Sequence, residues 1–226
     1  MTEDLSEEVS TIESLRALAL EHGFDYASGD PSLVDRWSAP PFSDFGHRRA
    51  LDVVYGERDG FPVVAFRFVV GESARDGKAE ASYGGGIRMT LPAVQRSHLV
   101  VAVALPGPLP RVSLVPTDDP VDDDPFGYVF ETEDEGLAAR YDVYGVDGDA
   151  ASALLHLDAV TAIRKHRTVD WRLDGRDLLA VEPADAPERS VEEILETIDA
   201  LTTIAKGIPT DLYGKYSPRR TYPPRD

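Results

Sequence analysis

The stretch LDVVYGERDGFPVVAFRFVV, residues 51–70, decides the fold class. Leu51, Val53 and Tyr55 alternate with more polar neighbours, as on a strand with one covered face. Asp59-Gly60 supplies a reversal, and Val63 to Val70 returns as a second strand, so the pair predicts an antiparallel hairpin. Upstream, Phe24-Asp25-Tyr26 begins a short strand. Downstream, Ile87, Met89 and Leu91 alternate again, and Leu99 to Leu105 is continuously apolar, as expected of a central strand covered on both faces. Pro106, Pro108 and Pro110 are expected to break pairing, leaving Val112 and Leu114 on a strand nearer an edge. Gly71 to Gly86 is polar and glycine-rich, either a long exposed hairpin tip or a mobile loop.

Helical signals flank this meander. Ser10 to His22 reads as a first helix: Ser10 and Glu13 form a capping-box pair, Ile12, Leu15, Leu18 and Ala19 share a face, and Gly23 ends it. Further on, Tyr141 and Val143 mark a strand, and Ala153, Leu154, Leu157, Val160 and Ile163 mark a helix. Trp171 and Leu173, the turn Asp174-Gly175 and Leu178 to Val181 read as a hairpin. Ser190 and Glu193 open a final helix with Val191, Ile194, Leu195, Ile198, Leu201 and Ala205 on one face, closed by Gly207 and Pro209. This order lacks strict βαβ alternation. It predicts an α+β fold: an antiparallel meander sheet with an N-terminal helix, a helix before the last hairpin and a C-terminal helix. Residues 1–9 are expected to be disordered, residues 10–209 to form one α+β domain or two subdomains (10–116 and 126–209), and residues 210–226 to form a disordered basic and aromatic tail.

Composition excludes several function classes. The chain has 226 residues, 42% of them hydrophobic, enough for a sizeable core. It contains no cysteine, which removes disulfides, thiolate catalysis and Cys-ligated metal centres. MTEDLSEEVS is acidic and polar, unlike a secretory leader, and no apolar run approaches the ~20 residues that span a bilayer. The expected compartment is the cytoplasm. A net charge of −18 argues against nucleic acid and anionic membranes as partners. Lysine is confined to Lys78, Lys165, Lys206 and Lys215 while arginine is common, a balance that suits either a high-salt cytoplasm or a high-GC genome.

Between Phe130 and Pro183, acidic residues precede Leu137. Then come Arg140-Tyr141-Asp142-Val143-Tyr144, an Asp before the Ala-Leu-Leu helix, and a segment reading Asp-Gly-x-Asp-Leu-Leu. Together with Trp37…Pro40-Pro41-Phe42 and Leu105-Pro-Gly-Pro-Leu-Pro-Arg111, these segments resemble an uncharacterised, largely actinobacterial family known only as a domain of unknown function. The resemblance spans most of residues 12–209. It implies an α+β fold and brings no activity, cofactor or catalytic residue with it.

No residue pattern assembles a reaction. His22, His47, His98, His156 and His166 lack metal-ligand spacing, and no metal or cofactor is expected. No serine sits in a Gly-x-Ser-x-Gly elbow, and Gly84-Gly85-Gly86 is not followed by the Lys-Ser/Thr of a phosphate-binding loop. The segment from 112 to 139 has no basic residue and many carboxylates. Asp118 to Asp124 reads either as a solvated, self-repelling loop or as a divalent-cation loop, though it lacks the spacing of an EF-hand. The tail reverses the charge, with Lys215, Arg219, Arg220 and Arg225 among Tyr213, Tyr216 and Tyr222. It reads as a partner-docking peptide, a strap on the chain's own acidic surface, or an unselected terminus. Trp37 and Phe42, in a proline-stiffened loop, either anchor an interface or cover one end of the sheet. The expected interaction residues are therefore Trp37, Phe42, Tyr216, Arg219, Arg220 and Tyr222. The leading reading is a non-enzymatic protein that binds a protein partner or itself. The alternatives are a hydrolase whose His98, His156 or His166 meets a carboxylate only on folding, or cation binding by residues 118–124.

Overall fold

The computed structural model describes residues 3–44, 46–71, 95–117, 127–166, 169–182 and 189–217. The fold is α+β. Seven strands form an antiparallel sheet: β1 (Asp25–Gly29), β2 (His47–Arg58), β3 (Phe61–Gly71), β4 (Gln95–Pro116), β5 (Tyr128–Phe130), β6 (Tyr141–Gly145) and β7 (Asp170–Val181). Hydrogen-bonded neighbours follow the order β1-β2-β3-β4-β6-β5, with β7 pairing β4 off that path. Six helices accompany them: α1 (Glu3–His22), α2 (Glu135–Ala138), α3 (Gly148–Leu154), α4 (Leu157–Lys165), α5 (Val191–Gly207) and α6 (Thr210–Tyr216). The described residues gather into two compact units. The first comprises Met1–Glu57, Val64–Val101 and Val181–Leu195; the second comprises Arg58–Val63, Ala102–Ala180 and Glu196–Asp226. Each unit therefore draws on both halves of the sequence, where a cut near residues 116–126 would give two contiguous pieces.

In the first unit, Leu15 and Leu18 of α1 are fully buried, and β1 pairs with β2 through Ala27↔Val53 and Tyr26↔Val54. The loop Trp37 to Phe42 folds inward. Trp37 lies against Phe42 and Phe66 at ring separations of 4.9 and 5.9 Å, and Phe42 meets Phe68 edge-on at 4.8 Å. Each such ring contributes about 1.5–3 kcal/mol by leaving water. One polar exception is Asp52, buried at φ 50. Arg67, also buried, donates to Asp52 Oδ2 at 3.1 Å, and Tyr26 donates its hydroxyl to Oδ1 at 2.6 Å. The charge is thus paired on both oxygens, as burial requires.

In the second unit, β6 pairs antiparallel with β4 from Val112↔Gly145 to Pro116↔Tyr141. Tyr141 is buried, and its hydroxyl accepts from the Val169 amide at 3.3 Å and from Trp171 Nε1 at 3.2 Å. It ties the start of β6 to the start of β7.

Several expectations are corrected. Residues 105–110 continue β4 instead of ending it. Alternate amides of a strand point to opposite edges, so prolines two apart remove donors along one edge only. Asp174-Gly175 does not reverse the chain: residues 170–181 run as one strand, with Gly175 at φ 63 providing a bend. The helix expected over 153–163 is two helices, broken at Leu155-His156. Ser10 lies inside α1, not at its start. The tail expected to be disordered from 210 is helical over Thr210–Tyr216, because buried Tyr213 packs where Gly107 has no side chain. The capping box at the start of α5 is present, with Ser190 N donating to Glu193 Oε2 at 3.0 Å and Glu193 N to Ser190 Oγ at 3.3 Å. The alternation at Ile87, Met89 and Leu91 lies outside the described residues.

Candidate interaction surface

In the second unit, β5 ends the strand order and, among the described residues, pairs with β6 alone, through Tyr128↔Gly145, Val129↔Tyr144 and Phe130↔Val143. No described strand pairs with its other edge. Two of its three side chains face solvent: Tyr128 is 76% and Val129 61% exposed. Val146 follows the paired Gly145 and is 60% exposed. Phe130 turns inward across Gly145 and Gly148, where a Cβ would stand 3.1 and 3.6 Å from its ring.

Two local N-terminal caps shape the ground beside this edge. Asp147 caps α3, accepting from the Ala150 amide at 3.0 Å. His156 caps α4 with an imidazole: Nδ1 accepts from the Ala159 amide at 3.3 Å, and Nε2 lies 3.1 Å from the Ile204 carbonyl. That pair of contacts fixes the tautomer, with the proton on Nε2. The break at Leu155-His156 makes Leu157 the first residue of α4. It leaves the apolar face that Val160 and Ile163 share and is 80% exposed. A groove of about 520 Å³ results, with Phe130, Leu155 and Leu157 as apolar lining and Glu131, Glu133 and Asp134 as acidic lining. Asp134 is engaged, capping α2 through the Leu137 amide at 2.8 Å and pairing with Arg164 at 3.1 Å. Glu131 and Glu133 are exposed and make no ion pair among the described residues.

The end of α6 is fixed beside the start of α3. Lys215 Nζ donates to Asp149 Oδ2 at 2.5 Å, and this contact is the largest cause raising the lysine pKa. The Asp147 carboxyl is held below the usual carboxylate range, first by the Tyr216 hydroxyl and then by the Ala150 amide.

Of the expected interaction residues, Trp37 and Phe42 are only 5% and 1% exposed. They are corrected from interface anchors to core, since in the first unit Trp37 stacks on Phe66 and Phe42 meets Phe68 edge-on. Tyr216 closes α6. Arg219, Arg220 and Tyr222 lie outside the described residues, as does the 118–124 loop. The histidines are drawn into structural contacts. His98 Nδ1 is 3.0 Å from the Glu182 carbonyl, and His156 is a cap. His166 lines a second, shallower groove with Lys165, Glu196 and Asp199. There its Nε2 is 3.0 Å from Thr197 Oγ1, its ring stands edge-on to Trp171, and Asp199 is held by Arg58 through contacts of 2.7 and 3.1 Å. Among the described residues no three His, Asp or Glu side chains converge as metal ligands, and no helix is long and apolar enough to cross a membrane.

Sequence reading missed Tyr128, Val129, Val146 and Leu157. The signal for β5 was present as three apolar residues following a long acidic stretch. Leu157 gave none, because its spacing fits the buried face of an unbroken helix.

No family model matches the chain, and no curated protein matches it. Among solved structures, the chain is similar to the crystal structure of the mycobacterial trehalose monomycolate transport factor A, TtfA. The TM-score is 0.61 at 19% sequence identity, over 88% of this chain and 97% of that one. The likeness is one of fold.

Proposed function

We propose that this protein is a non-enzymatic, cytoplasmic binding domain that engages a protein partner, or a second copy of itself, through the β5 edge and the adjoining groove. One observation carries the reading: four of the six exposed large apolar side chains among the described residues, Tyr128, Val129, Val146 and Leu157, belong to β5, the β6–α3 turn and the start of α4. Exposed apolar residues beside an unpaired strand edge suit strand addition, in which main-chain hydrogen bonds give affinity and neighbouring pockets give selectivity. The histidines support binding over hydrolysis, since His98 faces a backbone carbonyl, His156 caps a helix and His166 meets the Thr197 hydroxyl. The excess of carboxylates disfavours nucleic acid and anionic membranes, and the cysteine-free chain suits a reducing compartment. A chain of the same fold named as a transport factor fits a domain that works by engaging other molecules.

Light scattering after size exclusion, and affinity capture from the native host, test the proposal when the unmodified chain is compared with Val129→Lys and with Leu157→Glu. Both positions are exposed, so both variants fold. Self-association or specific capture present in the unmodified chain and lost in both variants supports the assignment. A monomer without partners, or association unchanged by both substitutions, overturns it.

A further inference from the structure

We infer that the groove between β5 and helices α3 and α4 is a receptor for a basic, proline-rich extended peptide, and that its resident occupant is this chain's own segment 218–226. The inference rests on the groove being part of the binding surface just described. It adds what that surface recognises and how access to it is controlled.

Ser217 follows α6 with extended backbone, φ −64 and ψ 133, and its hydroxyl donates to the Tyr213 carbonyl at 2.7 Å. The preceding turn is anchored by Lys215 to Asp149, on the first turn of α3. Gly148, Ala151 and Ser152 of that same helix line the groove. The last described turn of the chain is therefore held against the helix that lines the groove. Nine further residues reach roughly 30 Å when extended, about three times the ~10 Å length of α3.

Segment 218–226 reads Pro-Arg-Arg-Thr-Tyr-Pro-Pro-Arg-Asp, three cations against one anion, in a chain whose net charge is −18. The groove offers Glu131 and Glu133 as exposed carboxylates, and Phe130, Leu155 and Leu157 as apolar surface for Tyr222. Pro218, Pro223 and Pro224 lack amide donors and favour the polyproline conformation. They suit the segment to lie in a groove rather than to extend the β5 ladder, and they lower the entropy lost on docking.

A short flexible link sets an effective concentration in the millimolar range, so a contact of only about millimolar affinity is roughly half occupied. An external partner with the same chemistry, basic, extended and carrying an aromatic side chain, must displace the segment to enter.

The absence of cysteine makes the test clean. Asp226→Cys, which keeps all three arginines, carries a single nitroxide on the otherwise intact ¹⁵N-labelled chain. The expected result is a roughly twofold or greater loss of amide intensity over residues 130–134 and 151–157, in line with half occupancy. The loss should disappear in Glu131→Lys/Glu133→Lys and be absent from a mixture of spin-labelled unenriched chain with unlabelled ¹⁵N chain. Three results overturn the inference. One is no loss in the groove. Another is loss that survives the charge reversal, which reports tethering alone. The last is loss that appears in the mixture, which assigns the groove to a second copy. None of these touches the Val129→Lys and Leu157→Glu comparison, so a failed strap leaves the binding surface standing or falling on its own test.

Discussion

Tyr55 donates its phenolic hydrogen to Asp30 Oδ2, while Asp30 Oδ1 accepts from the Ser32 amide at 2.8 Å and caps the short 3₁₀ turn Pro31–Leu33. Partial burial, and after it the neighbouring carboxylate, push the Tyr55 phenol up to about 12. A raised folded-state pKa favours the neutral phenol. Its contribution to stability is therefore complete below the unfolded value near 10 and is lost as pH climbs from there to about 12. Alkaline unfolding should contain a step in that window which Tyr55→Phe removes. Urea titrations at either end of the window check this, and an unfolding curve of Tyr55→Phe with the same alkaline slope as the parent would refute it. The neighbouring residues also show where alternation misleads. Asp52 reads as an outward polar position between Leu51 and Val53, yet it is buried and Leu51 is not. Its partner Arg67 lies on another strand, so nothing local in the sequence signals that two buried charges satisfy each other.

Helix α5 is legible because its signal is local. The Ser190/Glu193 box and the apolar face of α5 follow from spacing alone. The division between α3 and α4 does not, because the residue that starts α4 is a histidine, and its capping role depends on a remote partner. The His156 ring lies across the end of α5, bonded to the Ile204 carbonyl, where Gly207 has no side chain; a Cβ there would stand 2.0 Å from the ring. Gly207→Ala must displace the imidazole, and with it the cap of α4. The expected cost is about 1–3 kcal/mol in urea unfolding, from overpacking and the lost cap together. In a His156→Ala background the same alanine no longer meets the ring and gains helix propensity, so its cost should fall to zero or change sign. Equal penalties in both backgrounds would show that the glycine acts through the helix end and not through the ring. The same dependence on remote partners explains β4 and β7. Prolines at 106, 108 and 110 and the Asp174-Gly175 pair are read as breaks because the pairing edge is invisible in one dimension. The Arg176 contact to the Pro106 carbonyl at 2.7 Å, linking the two misread segments, belongs to the folded chain alone.

At the scale of the whole molecule, composition foretold more than pattern did. With 41 acidic residues against 23 Lys and Arg, carboxylates outnumber the cations that could pair with them by 18. The arginine-rich cation set matches the pairs that form: the guanidinium fork suits Asp199 on Arg58, where Nε and Nη2 each meet one carboxylate oxygen, while Arg111 Nη2 spans both oxygens of Asp174. Exposed pairs of this kind contribute only about 0–1 kcal/mol each. The surplus negative charge instead acts through mutual repulsion in the compact state. Raising salt from about 0.05 to about 1 M shortens the screening length to roughly 3 Å, which weakens the ion pairs and the repulsion alike. Because the repulsion has many members and the pairs are individually weak, relief should dominate. The expected gain is about 1–2 kcal/mol, a rise in Tm of roughly 2–8 °C for a chain of this size. Calorimetry across a sodium chloride series, repeated with potassium chloride to separate screening from specific ion binding, makes the comparison. A Tm that falls with both salts would mean that the arginine–aspartate pairs, not the surplus charge, set the electrostatic balance of this fold.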